Sequence, residues 1–445
     1  LRLHMMKMEV NIVSKEMIKP NNPTPNHLAT YQLSFLDQLS PSVYTNCVMF
    51  YNNINIIGGV EILLHNLKTS LSHALTLFYP LAGRLKKNAS CIECNDMGVP
   101  FIEAKLLNCN LSEFLSQNPI DPIQLNNLIP FETDHGVSEI LLGIQINIFS
   151  CGSIAIGSSI SHIIADGLSF FMFLNKWAAI SRGDASFACL PPQFEAASLF
   201  PPKNISGFNP RVDVENKNNF ISKRFVFNAS TIQNLKQKYV NISNVSRVEA
   251  LSTFIWNRFV AVTQLQVDYS KTSYAMVQLV NLRTRFEPSL SESSFGNLYR
   301  FVIIKAVGSE KNDDQIIKQM REELSHIDDK YIKNLQEGTQ HLEFMKKSGK
   351  GLLKRETTVA LSVSSWCRFP LYESDFGWGK PTWVGLAPLW CNNVVTFLDT
   401  KSGDGIEAYI SLSRNDMANL ETDKEFLAFV ASLVLHLGMD KSAFS

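Results

Sequence analysis

Between residues 138 and 181 the apolar pattern changes its period, and that change restricts the fold more than any other stretch of the chain. EILLGIQINIFS and SIAIGSSISH, within residues 138–162, read as two strands joined by a tight turn at Cys151-Gly152. In the second of them Ile154, Ile156 and Ile160 alternate, as side chains do across a half-buried strand. From Leu168 onward the repeat is helical: Leu168, Phe171 and Leu174 fall on one stripe of a helix expected over about 169–181. On the junction stand His162 and Asp166, with Gly167 directly after them.

The rest of the chain repeats this mixture. Leu63, Leu64, Leu67, Leu71, Ala74 and Leu75 form a helical stripe within residues 59–78, ended by Pro80 and Gly83 in YPLAGRL. SKRFVFN reads as a strand and residues 229–239 as a helix; Ser246 and Glu249 have capping-box spacing ahead of an apolar helix. SYAMVQLVNL and NLYRFVIIKAV read as strands, and residues 312–346 as charged amphipathic helices. NNVVTFLDT and GIEAYISLS pair as a hairpin around residues 401–404, and a last helix is expected over about 421–437. Strands and helices interleaved throughout give an α/β or α+β class with at least two sheets. At 445 residues the chain is long for one core. The aperiodic, proline- and asparagine-rich stretch LPPQFEAASLFPPKNISGFNPRVDVENKNN marks a boundary. The expected division is therefore a first domain over 1–190, a linker over 191–219 and a second domain over 220–445.

Charge and cysteine usage exclude several classes. Lys plus Arg equal Asp plus Glu at 41 each, which leaves no electrostatic footprint for nucleic acid or an anionic membrane. No run of 18 apolar residues offers a membrane span, and the opening residues lack the continuous apolar stretch of a secretory signal, so the expected address is the cytoplasm. The eight cysteines are scattered through a long chain, which argues against a disulfide framework. Cys91 and Cys94 form a lone CxxC with no second pair or nearby histidines, so no metal is expected. KSGKG at 347–351 resembles a P-loop fragment, but Leu352 stands where Ser or Thr would hold magnesium. No GxSxG elbow for a serine nucleophile occurs.

His162 and Asp166 then admit two readings. Strand parity places His162 on the face of Ile154, Ile156 and Ile160, towards a mostly apolar interior. On the plainer reading it is a buried histidine bonded to backbone, with Asp166 capping the next helix. On the chemical reading it is a general base: a neutral imidazole with a pKa near 6.5 accepts a proton from an attacking alcohol. Asp166 would then lock the loop through an arginine, and Gly167 would let a backbone or a slender ligand approach.

A second motif bears on the choice. SSWCRFPLYESDFGWGKP contains Asp375, Phe376, Gly377, Trp378 and Gly379, by itself a glycine-kinked strand end with two large aromatics. HxxxD followed by DFGWG, with YPLAGRL, CNDMGVPF, VNLRTRFEPSL and FGNL, resembles the plant BAHD acyltransferases over nearly the whole chain. The resemblance implies two similar-sized domains, each a mixed sheet with flanking helices in the manner of chloramphenicol acetyltransferase, with a channel between them. It implies an acyl-CoA co-substrate, no permanently bound cofactor, a small-molecule alcohol acceptor and a monomer. His162 matches the family's general base, acting without an acyl-enzyme, and Asp166 a structural aspartate paired with an arginine, for which Arg283 is the best match and Arg285 the second. DFGWG supports the coenzyme side from outside the catalytic centre. Trp366, Thr382 and Trp383 are candidate channel-lining residues, and Gly167, Ser246 and Arg247 candidate coenzyme contacts. Within the family the chain looks most like the clade that acylates alkaloid alcohols, so acetyl-CoA and an alkaloid alcohol are the expected substrates. A sugar or other specialised alcohol with a branched or longer acyl donor is the alternative, and a non-catalytic acyl-CoA or metabolite binder the alternative class.

Overall fold

The computed structural model describes residues 8–52, 58–86, 91–117, 120–131, 138–185, 191–205, 219–264, 273–306, 313–338 and 358–430. In the first part of the chain the strands are β1 (Glu9–Ile18), β2 (Thr30–Gln32), β3 (Tyr44–Tyr51), β4 (Arg84–Leu85), β5 (Cys91–Glu93), β6 (Val99–Leu107), β7 (Leu142–Phe149) and β8 (Ile154–Ser161). Later come β9 (Phe220–Phe227), β10 (Ser273–Asn281), β11 (Tyr299–Ala306), β12 (Thr358–Ser365), β13 (Trp383–Leu386), β14 (Val394–Asp399) and β15 (Ile406–Ser413). Among the described residues they make two mixed six-stranded sheets, in the orders β1-β6-β7-β8-β3-β13 and β11-β10-β12-β14-β15-β9, and a small sheet β2-β5-β4.

Each large sheet owns a core. Helices Gly59–Leu77 and Gly167–Ser181 bury their apolar stripes against the first sheet, where Leu67, Leu71, Ile154, Ile156, Ile160, Phe171, Leu174 and Trp177 are fully buried. Burial of such side chains is worth about 1.5–3 kcal/mol each. The second sheet packs against the helix Arg247–Thr263 and its neighbours around Phe254, Ile255, Met276, Leu361 and Val395. The capping box expected at Ser246 and Glu249 opens that helix, each side chain bonding the other's backbone N–H.

The two halves interleave. β13, late in the chain, pairs antiparallel with β3 (Trp383 opposite Phe50) and so completes the first sheet. Phe35, Leu36 and Leu39 sit in the second core, whereas Phe295, Leu371 and Phe376 sit in the first. Of the stretch 191–219, residues 191–205 include a short helix, Ala196–Leu199, whose Ala196 joins the second core; residues 206–218 lie outside the described ones.

Two helical expectations change. The helix expected from about Ser169 begins at Gly167, because Asp166 caps it. The last helix, expected from about 421, starts at Lys424 and runs to Phe429, because the Asp423 carboxylate accepts the Phe426 N–H at 2.7 Å and caps it there; a separate helix, Arg414–Leu420, precedes the expected range. The remainder of that expectation, 431–437, and of the charged helices, 339–346, lies outside the described residues.

Candidate active site

The His162–Asp166 turn is built by the end of β8. The His162 N–H donates to Val43 O at 2.9 Å, which extends the β3–β8 ladder by one rung before the chain turns away. Strand parity therefore stops applying at His162. Its alternating predecessors Ile154, Ile156 and Ile160 lie in the apolar core, but the half-buried His162 ring meets Asn297 and Tyr299 instead. Its ring lies 5.6 Å from that of Tyr299, and its Nδ1 is 3.1 Å from Asn297 Oδ1.

The Asn297 amide settles which ring nitrogen carries the proton. Its Nδ2 donates to His162 O at 2.8 Å and to Asp37 Oδ1 at 2.9 Å, so both N–H groups already point at acceptors. The atom facing the imidazole is then Oδ1, which can only accept, and Nδ1 must be the donor. Nε2 keeps its lone pair. Burial holds the imidazole below the ordinary histidine value, against the opposing charge of Asp166, so the ring is neutral at pH 7.

Asp166 is turned to a different task. It caps the helix by accepting from Ser169 N at 2.9 Å, takes the Leu298 N–H at 3.1 Å, and receives both terminal nitrogens of Arg283 at 2.8 and 3.2 Å. Arg283, 3% exposed, also donates to Ser294 O and to the Ser169 hydroxyl. Burial alone would push the Asp166 carboxyl up; the Arg283 guanidinium and the Ser169 bonds overcome that and hold it below the ordinary aspartate range. The turn, the helix start and the FGNL loop (295–298) are thus tied by one buried ion pair.

The other predicted residues divide by location. Trp366 comes to the turn: a Cβ on Gly167 would fall 2.8 Å from its indole, so only glycine fits beneath that ring. Thr382 donates its N–H to Phe50 O at 2.7 Å beside β3. Trp383 is buried in β13, stacked 5.1 Å from Phe50, with its Nε1 3.2 Å from Glu407 and the Arg224 guanidinium 5.0 Å over its face. Ser246 is engaged in its capping box, and Arg247 bonds Asp399 at 2.9 Å and Gly403 O at 2.7 Å. In DFGWG, Asp375 Oδ1 accepts from Gly377 N at 2.8 Å and Gly379 N at 2.9 Å, which closes a turn with φ of +106° and +102° at the two glycines. Phe376 enters the first core edge-on to Trp177 at 4.7 Å, and Trp378 stacks on Phe376 at 5.5 Å. Arg182 Nη1 fastens the loop to the end of the Gly167–Ser181 helix through Asp375 O at 3.0 Å.

Two features escaped the sequence reading: Asn297, and an apolar strip beside His162. Tyr299, Phe301 and Ile303 share one face of β11, with Leu279 and Val277 opposite the last two on β10; all are half-buried, on the face of the sheet opposite the helix-covered core. Among the described residues no cluster of His, Cys, Asp and Glu could hold a metal, the seven cysteines are free, and no helix is long and apolar enough to cross a membrane. Cys189 lies outside them.

The comparisons with known proteins agree with this architecture. The model of the Transferase family matches residues 8–427. Stemmadenine O-acetyltransferase of Catharanthus roseus is 36% identical over 94% of this chain and 97% of its own length, and limonoid 21-O-acetyltransferase of Citrus sinensis 34% identical over 95% and 99%. The crystal structure of vinorine synthase superposes with a TM-score of 0.84 at 34% identity, covering 95% of this chain and 99% of that one. The chain belongs to this Transferase family, the acyl-CoA-dependent O-acyltransferases of the BAHD type.

Proposed function

We propose that the protein transfers an acetyl group from acetyl-CoA to a hydroxyl of an apolar, multi-ring specialised metabolite, with His162 as general base. The observation that carries this reading is the neutral imidazole whose Nδ1–H is committed to Asn297 and whose Nε2 lone pair is left for an incoming proton. The acceptor O–H gives its proton to Nε2 while its oxygen attacks the thioester carbonyl carbon. The tetrahedral intermediate collapses, the C–S bond breaks, and the departing coenzyme thiolate takes the proton back from the imidazolium. His162 is the base in the first half and, as imidazolium, the acid in the second; it never bonds the acyl carbon, so no acyl-enzyme forms. Asp166 and Arg283 hold the turn, and the DFGWG loop supports the wall that carries Trp378 and Tyr51.

Two things support an apolar acceptor. The named relatives act on stemmadenine and on limonoids. The strip Tyr299, Phe301, Ile303, Leu279 and Val277 starts at His162 and runs about 14 Å along β11 at ~3.4 Å per residue, long enough for several fused rings. A sugar would leave its hydroxyls unpaired against that surface. The test is a mass-spectrometric screen of purified protein. It sets acetyl-CoA and branched acyl-CoAs against alkaloid alcohols, triterpenoid alcohols and sucrose, with His162→Ala as control. An acetylated multi-ring alcohol absent from the variant is expected; an acylated sugar as the sole product overturns the acceptor class, and a product formed equally by the variant overturns the base.

A further inference from the structure

Asp37 is a buried carboxylate that the reaction above does not use. It lies on the short helix Phe35–Gln38, is 1% exposed, and is 260 residues distant in sequence from its partner Asn297. Oδ2 accepts from Ser34 N at 2.9 Å and Ser34 Oγ at 2.7 Å; Oδ1 accepts from Asn297 N at 3.0 Å and Nδ2 at 2.9 Å. Oδ1 meets two N–H groups, which cannot accept, so that oxygen is the acceptor that Asn297 faces; burial pushes the Asp37 carboxyl above its ordinary value, against the pull of the Ser34 and Asn297 bonds. Helix capping accounts for the contacts to Ser34. It does not account for the two to Asn297.

The consequence lies in what an amide flip would do. An Asn side chain presents oxygen and nitrogen in nearly the same shape, and only its partners decide which way it faces. Flipped, Asn297 would set its oxygen against Asp37 Oδ1 and His162 O, two acceptors at 2.9 and 2.8 Å. Its NH2 would then face Nδ1, which would become the acceptor and move the ring proton to Nε2. In that tautomer the imidazole has no lone pair to offer the acceptor alcohol. A buried carboxyl oxygen that already accepts from Asn297 opposes the flip in addition to the His162 carbonyl.

We propose that Asp37 is a positioning residue for the reaction: its carboxylate holds the Asn297 amide in one orientation and thereby fixes His162 with the proton on Nδ1 and the lone pair on Nε2. This rests on His162 as the base, and the two are tested separately. Full-length protein labelled with 15N-histidine is examined by NMR, with the His162 signals assigned from a His162→Gln variant. In the unmutated protein His162 shows the Nδ1–H pattern; an Nε2–H pattern there overturns the general-base reading itself. In Asp37→Ala and Asp37→Asn the signals move towards a mixture of tautomers. The kcat for acetyl transfer falls on the order of tenfold or more, as expected of a misplaced ring proton, with KM for acetyl-CoA unchanged. Asp328→Ala, which removes the cap of the remote helix Asp329–Glu337, controls for a lost cap and leaves kcat alone. In an Asn297→Ala background the loss of Asp37 has no further effect on kcat. An unchanged His162 tautomer in both Asp37 variants, or a kcat loss that persists undiminished without Asn297, overturns the proposal.

Discussion

The HxxxD turn and the DFGWG loop are equally conspicuous in the sequence, each a five-residue motif with one aspartate, yet they dispose of their polar groups in opposite ways. Asp375 closes its own loop, accepting from Gly377 and Gly379 two and four residues on. Asp166 and His162 reach across the molecule, to Arg283 at a separation of 117 residues and to Asn297 at 135. One motif folds itself and anchors two aromatic rings. The other is held from outside and keeps one nitrogen, Nε2, without a hydrogen-bond partner among the described residues. Conspicuousness in sequence therefore does not measure nearness to chemistry; the uncommitted atom does.

Substitutions in the two motifs should separate along that line. The largest effect falls on His162→Ala: acetyl transfer drops by about 10³-fold, within the range a general base contributes, while the thermal midpoint stays put. A comparable loss in Asp375→Ala per folded molecule, measured with the same assay, would erase the contrast. Next, Arg283→Met leaves the Asp166 carboxylate buried and unpaired, costing about 3–5 kcal/mol in denaturant unfolding. Asp375→Ala, on a half-exposed loop, costs less, about 2 kcal/mol, with turnover retained once the fold is saturated with substrate. Gly377→Ala is smaller again, at about 1 kcal/mol, from a side chain forced to positive φ.

The same pair of residues sharpens the comparison through pH. His162 has its pKa lowered by folding, so the unfolded chain binds more protons below the ordinary value of about 6.5, and acidification from neutrality lowers stability. Asp166 has its pKa lowered too, so its contribution is present above the unfolded value of about 3.9 and is lost as pH falls below it. Thermal midpoints across this range should show the upper step vanish in His162→Gln and the lower one in Asp166→Asn. DFGWG variants should keep both.

What could be read from sequence was what is local or carried by a whole motif. The β7–β8 hairpin, the helix after it, the late hairpin and the capping box follow from periodicity and neighbours within four residues. The resemblance added the Asp166–Arg283 pairing, because VNLR could be matched as a unit. Asn297 was in view within FGNL, but nothing local distinguishes an asparagine that bonds a histidine ring from one that fills a turn. Asp37 forms half of a capping box with Ser34, but its second pair of bonds depends on a loop 260 residues later, which nothing local announces. β13 was missed for a similar reason, since a four-residue strand is specified by the edge of β3 that receives it.

The central claim is that a neutral His162, with its Nε2 lone pair free, takes the acceptor's proton. The most direct measurement is kcat/KM for acetyl transfer from acetyl-CoA, between pH 5 and 8, to the alcohol that the screen identifies, in unmutated protein and in His162→Ala. The account predicts a rate that rises through one ionisation below about 6.5 and is flat above it, with the ionisation absent from the residual activity of the variant. A profile that is flat throughout, or an ionisation that survives the loss of His162, would contradict it.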